Sequence, residues 1–246
     1  MTANPLERAF EWSPDKVRWY RDACEYSEND RNARIADAVM GQLPTFPSVC
    51  DIGCGIGCLS LELAKQASRM LALELNTYAL SVLISQVNDD QITNIETMQG
   101  DFATLPPPEH KFDGAVLCMF GGIEEYVKTA LSWTKPDGRV FYITGTGKWR
   151  NFSASKAISS HYSLDDIRAY LDGERFSYNE TIIPTKFGQP LSSFEEALHF
   201  MRSYDRESTD NEIERVIRER LQETGDRAFP FYLPSDKEYV MFSIEN

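Results

Sequence analysis

The sequence has no hydrophobic stretch of the length that a membrane-spanning helix needs, which is about 18 apolar residues. Its first residues lack a basic segment followed by an apolar one, so we expect no secretory signal. Histidine is scarce, with 3 residues in 246, and no two of them have metal-ligand spacing. We therefore expect a cytoplasmic protein that is not membrane-bound and has no metal site.

Positive charge is also in short supply. The chain has 25 Lys and Arg residues against 38 Asp and Glu residues, and its formal net charge is −13. Nucleic acid repels such a chain unless a local basic patch is present, and the sequence shows none. We expect a small-molecule substrate and no nucleic-acid partner, while the oligomeric state is left open. The hydrophobic fraction of 42% is enough for a core and excludes general disorder.

The chain has 5 cysteines, and three of them, Cys50, Cys54 and Cys58, lie close together. Their spacing resembles an iron–sulfur motif of the form C-x-x-x-C-x-x-C, but the second gap here is one residue too long. The three residues also fall on a predicted strand, turn and helix, which scatters their side chains. We interpret them as small buried side chains in the reduced state.

Short apolar segments alternate with amphipathic helical segments from residue 48 onwards, which predicts a parallel sheet with helices on both faces. The predicted strands are 48–52, 70–75, 95–98, 112–120, 139–144, 176–183 and 238–244.

A glycine-rich turn, 51–57, follows the first of these strands. Its glycines let the chain turn sharply and let a ligand approach the backbone. Glu74 ends the next strand, where a carboxylate can accept hydrogen bonds from both hydroxyls of a ribose. Asp101 and Phe102 follow the third strand, and an acid beside an aromatic ring suits the amine and the face of an adenine. These residues predict a site for an adenosine-containing ligand.

This arrangement resembles the class I S-adenosylmethionine-dependent methyltransferase superfamily over residues 49–144. The turn matches the family pattern D-x-G-x-G-x-G, and the segment 135–138 matches the turn before its fifth strand. Nicotinamide-binding folds do not usually place an acid two residues before the first glycine, as Asp51 is here, and Cys58 stands where their third glycine lies. The resemblance implies S-adenosylmethionine as cofactor, S-adenosylhomocysteine as product, and ten cofactor-binding residues: Asp51, Gly53, Cys54, Gly55, Glu74, Leu75, Asp101, Phe102, Cys118 and Met119.

The fold that we expect is a seven-stranded, mostly parallel, doubly wound α/β sheet of the Rossmann-like methyltransferase type. The chain forms one domain, 1–246. Within it, 1–47 is an N-terminal helical cover, 48–184 the cofactor-binding core, 185–236 a helical insertion and 237–246 the last strand. Seven aromatic residues give the insertion the means to line a substrate pocket or, alternatively, a protein-binding surface: Phe187, Phe194, Phe200, Tyr204, Phe229, Phe231 and Tyr232.

The sequence is less informative about catalysis, because methyl transfer needs a base only where the acceptor atom is protonated. His161 and Tyr20 are the two candidates. Two other functions stay open: a regulatory or scaffold protein that binds the cofactor without transferring a methyl group, and a nicotinamide-dependent oxidoreductase.

Overall fold

The computed structural model of the protein describes residues 10–147, 152, 154, 163–205 and 207–246. The helices of this described part are α1 (Pro14–Glu25), α2 (Arg31–Met40), α3 (Cys58–Ala64), α4 (Thr77–Asp89), α5 (Ile123–Trp133), α6 (Leu164–Gly173), α7 (Phe194–Tyr204) and α8 (Asp210–Arg220). Its strands are β1 (Ser48–Ile52), β2 (Arg69–Glu74), β3 (Ile95–Gln99), β4 (Phe112–Cys118), β5 (Thr134–Gly145), β6 (Tyr178–Lys186), β7 (Gln189–Leu191), β8 (Gln222–Glu223), β9 (Phe231–Leu233) and β10 (Asp236–Glu245).

Seven of these strands form the main sheet, in the order β3-β2-β1-β4-β5-β10-β6. The first five are parallel to their neighbours, and β10 lies antiparallel between β5 and β6. This confirms the predicted seven-stranded, mostly parallel sheet. The order reverses direction between β1 and β4, and ligands of open α/β sheets bind outside the carboxyl ends of strands at such a point.

The central strands are apolar on both faces because helices cover both faces of the sheet. Within β1, Val49, Cys50 and Ile52 are fully buried, and their side chains belong to two different core clusters. The edge strand β3 is largely exposed, which explains its weakly apolar sequence. At the start of α1, the side chain of Ser13 accepts a hydrogen bond from the Lys16 backbone and Pro14 occupies the first turn, as the sequence predicts.

The segment predicted as a helical insertion contains α7 and α8 and also a three-stranded antiparallel sheet in the order β7-β9-β8. The sequence did not predict this small sheet. Its strands have three, two and three residues, which is too short for a period-2 pattern to be visible.

The insertion packs against the N-terminal helix α1. Trp19 of α1 is buried against Phe200 of α7, with ring centroids 5.3 Å apart. Its indole nitrogen also donates a 3.1 Å hydrogen bond to Glu196. The two segments predicted as covers are therefore joined to each other. No helix in the described part of the chain is long and apolar enough to cross a membrane.

Candidate functional site

The glycine-rich turn passes from β1 into α3 with left-handed backbone conformations. Gly55 has a φ of 59°, and a Cβ atom at this residue would lie 2.8 Å from the ring of Trp12. Only glycine combines this backbone angle with so close an approach. The turn therefore presents bare backbone beside an aromatic ring, as a surface for a ligand.

Glu74, at the end of β2, holds the turn in place. It is 9% exposed, and its carboxylate accepts hydrogen bonds from the backbone N–H groups of Gly55 and Asn76, each 2.8 Å long. A carboxylate has about four lone-pair positions, so two bonds leave capacity for a ligand. The sequence placed Glu74 at a strand end, and the structure shows that it also fixes the shape of the neighbouring loop.

Asp51 and Asp101 differ in their surroundings. Asp51 is buried at the end of β1 and accepts a 2.6 Å hydrogen bond from the hydroxyl of Ser60. Burial raises the pKa of Asp51 to about 6, and the bond from Ser60 opposes that rise. Asp101 lies after β3, and its Oδ1 accepts a 3.0 Å hydrogen bond from the Ala103 backbone. This bond orients the Asp101 side chain before any ligand is present.

One cavity of about 800 Å³ collects these residues. All ten residues that the resemblance implied for the cofactor line it: Asp51, Gly53, Cys54, Gly55, Glu74, Leu75, Asp101, Phe102, Cys118 and Met119. Small-molecule sites have volumes of about 300 to 1,000 Å³, so the cavity has room for a nucleoside cofactor and a small partner. The binding roles of the ten residues stay predictions.

The other side of the cavity is aromatic and cationic. Phe187, Phe200 and Tyr204, which the sequence suggested as pocket residues, line it. Arg31 and Lys237 line it as well, and the sequence gave no sign of either. Each is a single charged residue in a helix or strand, and only the folded chain shows that both reach this cavity.

Of the two candidate bases, Tyr20 lines the cavity and His161 lies outside the described residues. The hydroxyl of Tyr20 accepts a 2.8 Å hydrogen bond from Arg31. Burial raises the pKa of Tyr20 well above its ordinary value. The phenol is therefore protonated at neutral pH, which favours a role as a hydrogen-bond donor over the role of a base.

The cysteines occupy separate environments. Cys50 is buried in β1, Cys54 and Cys118 line the cavity, and a hydrogen bond with Cys24 contributes to the raised pKa of Cys58. Among the described residues, no group of three or more histidine, cysteine, aspartate or glutamate side chains is arranged to hold a metal ion.

Comparison with known proteins also indicates a methyltransferase fold. A family model described as a methyltransferase domain matches residues 49–138. A "Probable ribosomal RNA small subunit methyltransferase A" of Methanosphaera stadtmanae is 35% identical over 69 residues, which are 28% of this chain and 25% of that protein. Phosphoethanolamine N-methyltransferase 1 of Triticum aestivum is 27% identical over 157 residues, 58% of this chain and 30% of the relative. The chain thus spans under a third of the length of these relatives.

Solved structures share the whole fold at low identity. The crystal structure of a SAM-dependent methyltransferase from Aquifex aeolicus aligns over 96% of this chain and 100% of its own, with a TM-score of 0.57 and 12% identity. The family model spans the glycine-rich turn and the acids at the ends of β2 and β3. Residues 49–138 thus match the methyltransferase-domain family, and the solved structure shows that the chain shares the fold of a SAM-dependent methyltransferase.

Proposed function

We propose that this protein transfers a methyl group from S-adenosylmethionine to a small-molecule acceptor. The observation that supports the proposal most is the convergence of Gly55, Glu74 and Asp101 on one cavity, each from the carboxyl end of a different strand of the parallel sheet.

The residues present fit this cofactor. Gly55 offers backbone without a side chain, and the free lone pairs of Glu74 suit the two ribose hydroxyls. The carboxylate of Asp101, already oriented by Ala103, suits the amine of adenine. At the amino-acid end, Asp51 suits the ammonium group. The buried guanidinium of Arg31, whose Nε has no hydrogen-bond partner within the described part of the chain, suits the carboxylate of the cofactor.

The cofactor supplies a methyl group on a sulfonium sulfur, which leaves as a neutral thioether. The leaving group needs no acid, so the chain's task is to align the acceptor atom with the methyl carbon and to exclude water. The aromatic wall formed by Phe187, Phe200 and Tyr204 serves the second task. Tyr20, protonated and buried, is placed to donate a hydrogen bond rather than to remove a proton.

A small acceptor agrees with the net charge of the chain and with the size of the cavity. The net charge of −13 opposes binding of a phosphate backbone. The ribosomal RNA relative matches only 28% of this chain, so the likeness carries no information on the acceptor side.

The first test is calorimetric titration of S-adenosylmethionine, S-adenosylhomocysteine and NAD into the purified protein. Micromolar binding of the two sulfur ligands without binding of NAD supports the proposal, whereas binding of NAD alone points to the oxidoreductase alternative. If the cofactor binds but no metabolite in a broad screen accepts its methyl group, the regulatory alternative is favoured.

Asp101→Ala is expected to weaken S-adenosylmethionine binding by about 1–3 kcal/mol, because the adenine amine loses a charged acceptor. The same titration measures this change. Glu109→Ala is the matched control, since Glu109 is an exposed acid of the following loop that does not line the cavity. Equal affinities of the two variants would remove Asp101 from the site.

A further inference from the structure

Lys237 is a cation held inside the cavity by the last strand. It is the second residue of β10, and Tyr239, two residues further along the strand, lines the same cavity. The ammonium nitrogen of Lys237 lies 5.1 Å from the ring centroids of both Phe152 and Phe187. The ammonium group is therefore flanked by two aromatic rings within the cavity.

No acid compensates this charge. Among residues 10–147, 152, 154, 163–205 and 207–246, no carboxylate forms an ion pair with Lys237 or with Arg31. Burial, together with the nearby charge of Arg31, lowers the pKa of Lys237 to about 7. An enclosed cation without a counter-ion is costly, and an anion placed beside it removes much of that cost.

The charges of the cofactor do not supply that anion. The inference rests on the proposed function, in which the amino-acid end of S-adenosylmethionine brings one ammonium and one carboxylate. Asp51 and Arg31 match these two groups, and Lys237 is left without a partner. An anionic group on the other occupant of the cavity would supply this partner and favour the protonated form of Lys237.

We propose that Lys237 binds an anionic group, a carboxylate or a phosphate, on the methyl acceptor. The rings of Phe152 and Phe187 flank the ammonium group, and Phe200 and Tyr204 continue the aromatic wall. This wall favours an acceptor whose anionic group is attached to a flat apolar body. The acceptor class is thus an aromatic or similarly planar acid.

The test uses three probes that share a phenyl ring: benzoate, phenyl phosphate and the neutral benzamide, the last of which is nearly the shape of benzoate. Each is titrated into the protein saturated with S-adenosylhomocysteine. We expect benzoate or phenyl phosphate to bind at least ten-fold more tightly than benzamide, and which of the two is preferred identifies the anion. Equal binding of all three probes overturns the proposal. So does the absence of binding of either acid when the acid is present in 50-fold molar excess over the protein saturated with S-adenosylhomocysteine.

Lys237→Met removes the charge and is expected to abolish the preference for the acids over benzamide, while Lys237→Arg keeps it. Lys186→Met is the matched control, since Lys186 is an exposed lysine at the end of the neighbouring strand β6 and does not line the cavity. A Lys237→Met protein that still prefers the acids contradicts the proposal.

A second readout does not depend on any probe. Because no carboxylate of the described residues pairs with Lys237, Lys237→Met is expected to raise the melting temperature of the ligand-free protein, whereas Lys186→Met leaves it unchanged. A lower melting temperature would mean that the ammonium group is held by the protein itself. Failure of S-adenosylhomocysteine to bind would contradict the proposed function, whereas its binding without discrimination among the probes would contradict only this inference.

Discussion

Glu74→Ala is expected to lower the affinity for S-adenosylmethionine by about 100- to 10,000-fold. The substitution removes the carboxylate proposed to accept both ribose hydroxyls, and hydrogen bonds to a charged group contribute about 1.5–3 kcal/mol each. It also leaves the backbone N–H groups of Gly55 and Asn76 without their acceptor. The expected loss of affinity is larger than for Asp101→Ala, because the substitution removes ligand contacts and also the hydrogen bonds that fix the shape of the glycine-rich turn.

Glu96→Ala is the control for this variant. Glu96 lies on the adjacent strand β3, where it forms an exposed ion pair with Arg69 at 3.0 Å and does not reach the cavity. Calorimetric titration of both variants should show a large loss for Glu74→Ala and none for Glu96→Ala. A Glu74→Ala protein that binds the cofactor as the unmodified chain does would show that the acid serves only the fold of the turn.

Gly57→Val is expected to lower the free energy of unfolding by about 3–5 kcal/mol. Gly57 has a φ of 82°, a left-handed conformation that costs a β-branched residue about 1–3 kcal/mol. A Cβ at this position would also lie 2.3 Å from Cδ1 of Leu83, which is fully buried between α4 and the sheet. Overpacking of a core adds about 1–3 kcal/mol.

Gly225→Val separates these two contributions. Gly225 has a similar φ of 78°, but nothing lies within 4 Å of the added Cβ. We expect urea denaturation to show the conformational cost alone for Gly225→Val and the larger loss for Gly57→Val. Similar losses in both variants would mean that Leu83 moves aside freely and that backbone strain is the whole effect.

The cofactor side of the cavity could be predicted from the sequence because its determinants are local. The turn 51–57 and the acids Glu74 and Asp101 each lie at or just after the carboxyl end of a strand, and parallel strands bring these ends to one edge.

The two cations Arg31 and Lys237 of the cavity could not be predicted in the same way. Arg31 and Lys237 come from opposite ends of the chain and meet only because β10 inserts between β5 and β6. Neither residue has a neighbour in sequence that signals its burial. The small sheet of β7, β8 and β9 escaped prediction because its strands are too short to show a pattern and because β7 pairs with a strand distant in sequence, β9.

The joint between α1 and α7 centres on one carboxylate, that of Glu196. Glu196 accepts hydrogen bonds from Trp19, Arg18 and Ser192. Although burial opposes it, the bonds from Ser192 and Arg18 lower the pKa of Glu196 to about 2. The carboxylate of Glu196 therefore stays ionised throughout the physiological pH range. The contact between α1 and α7 is expected to persist in mild acid. Because Glu196 of α7 holds two side chains of α1, we expect the N-terminal helix and the insertion to move together rather than separately.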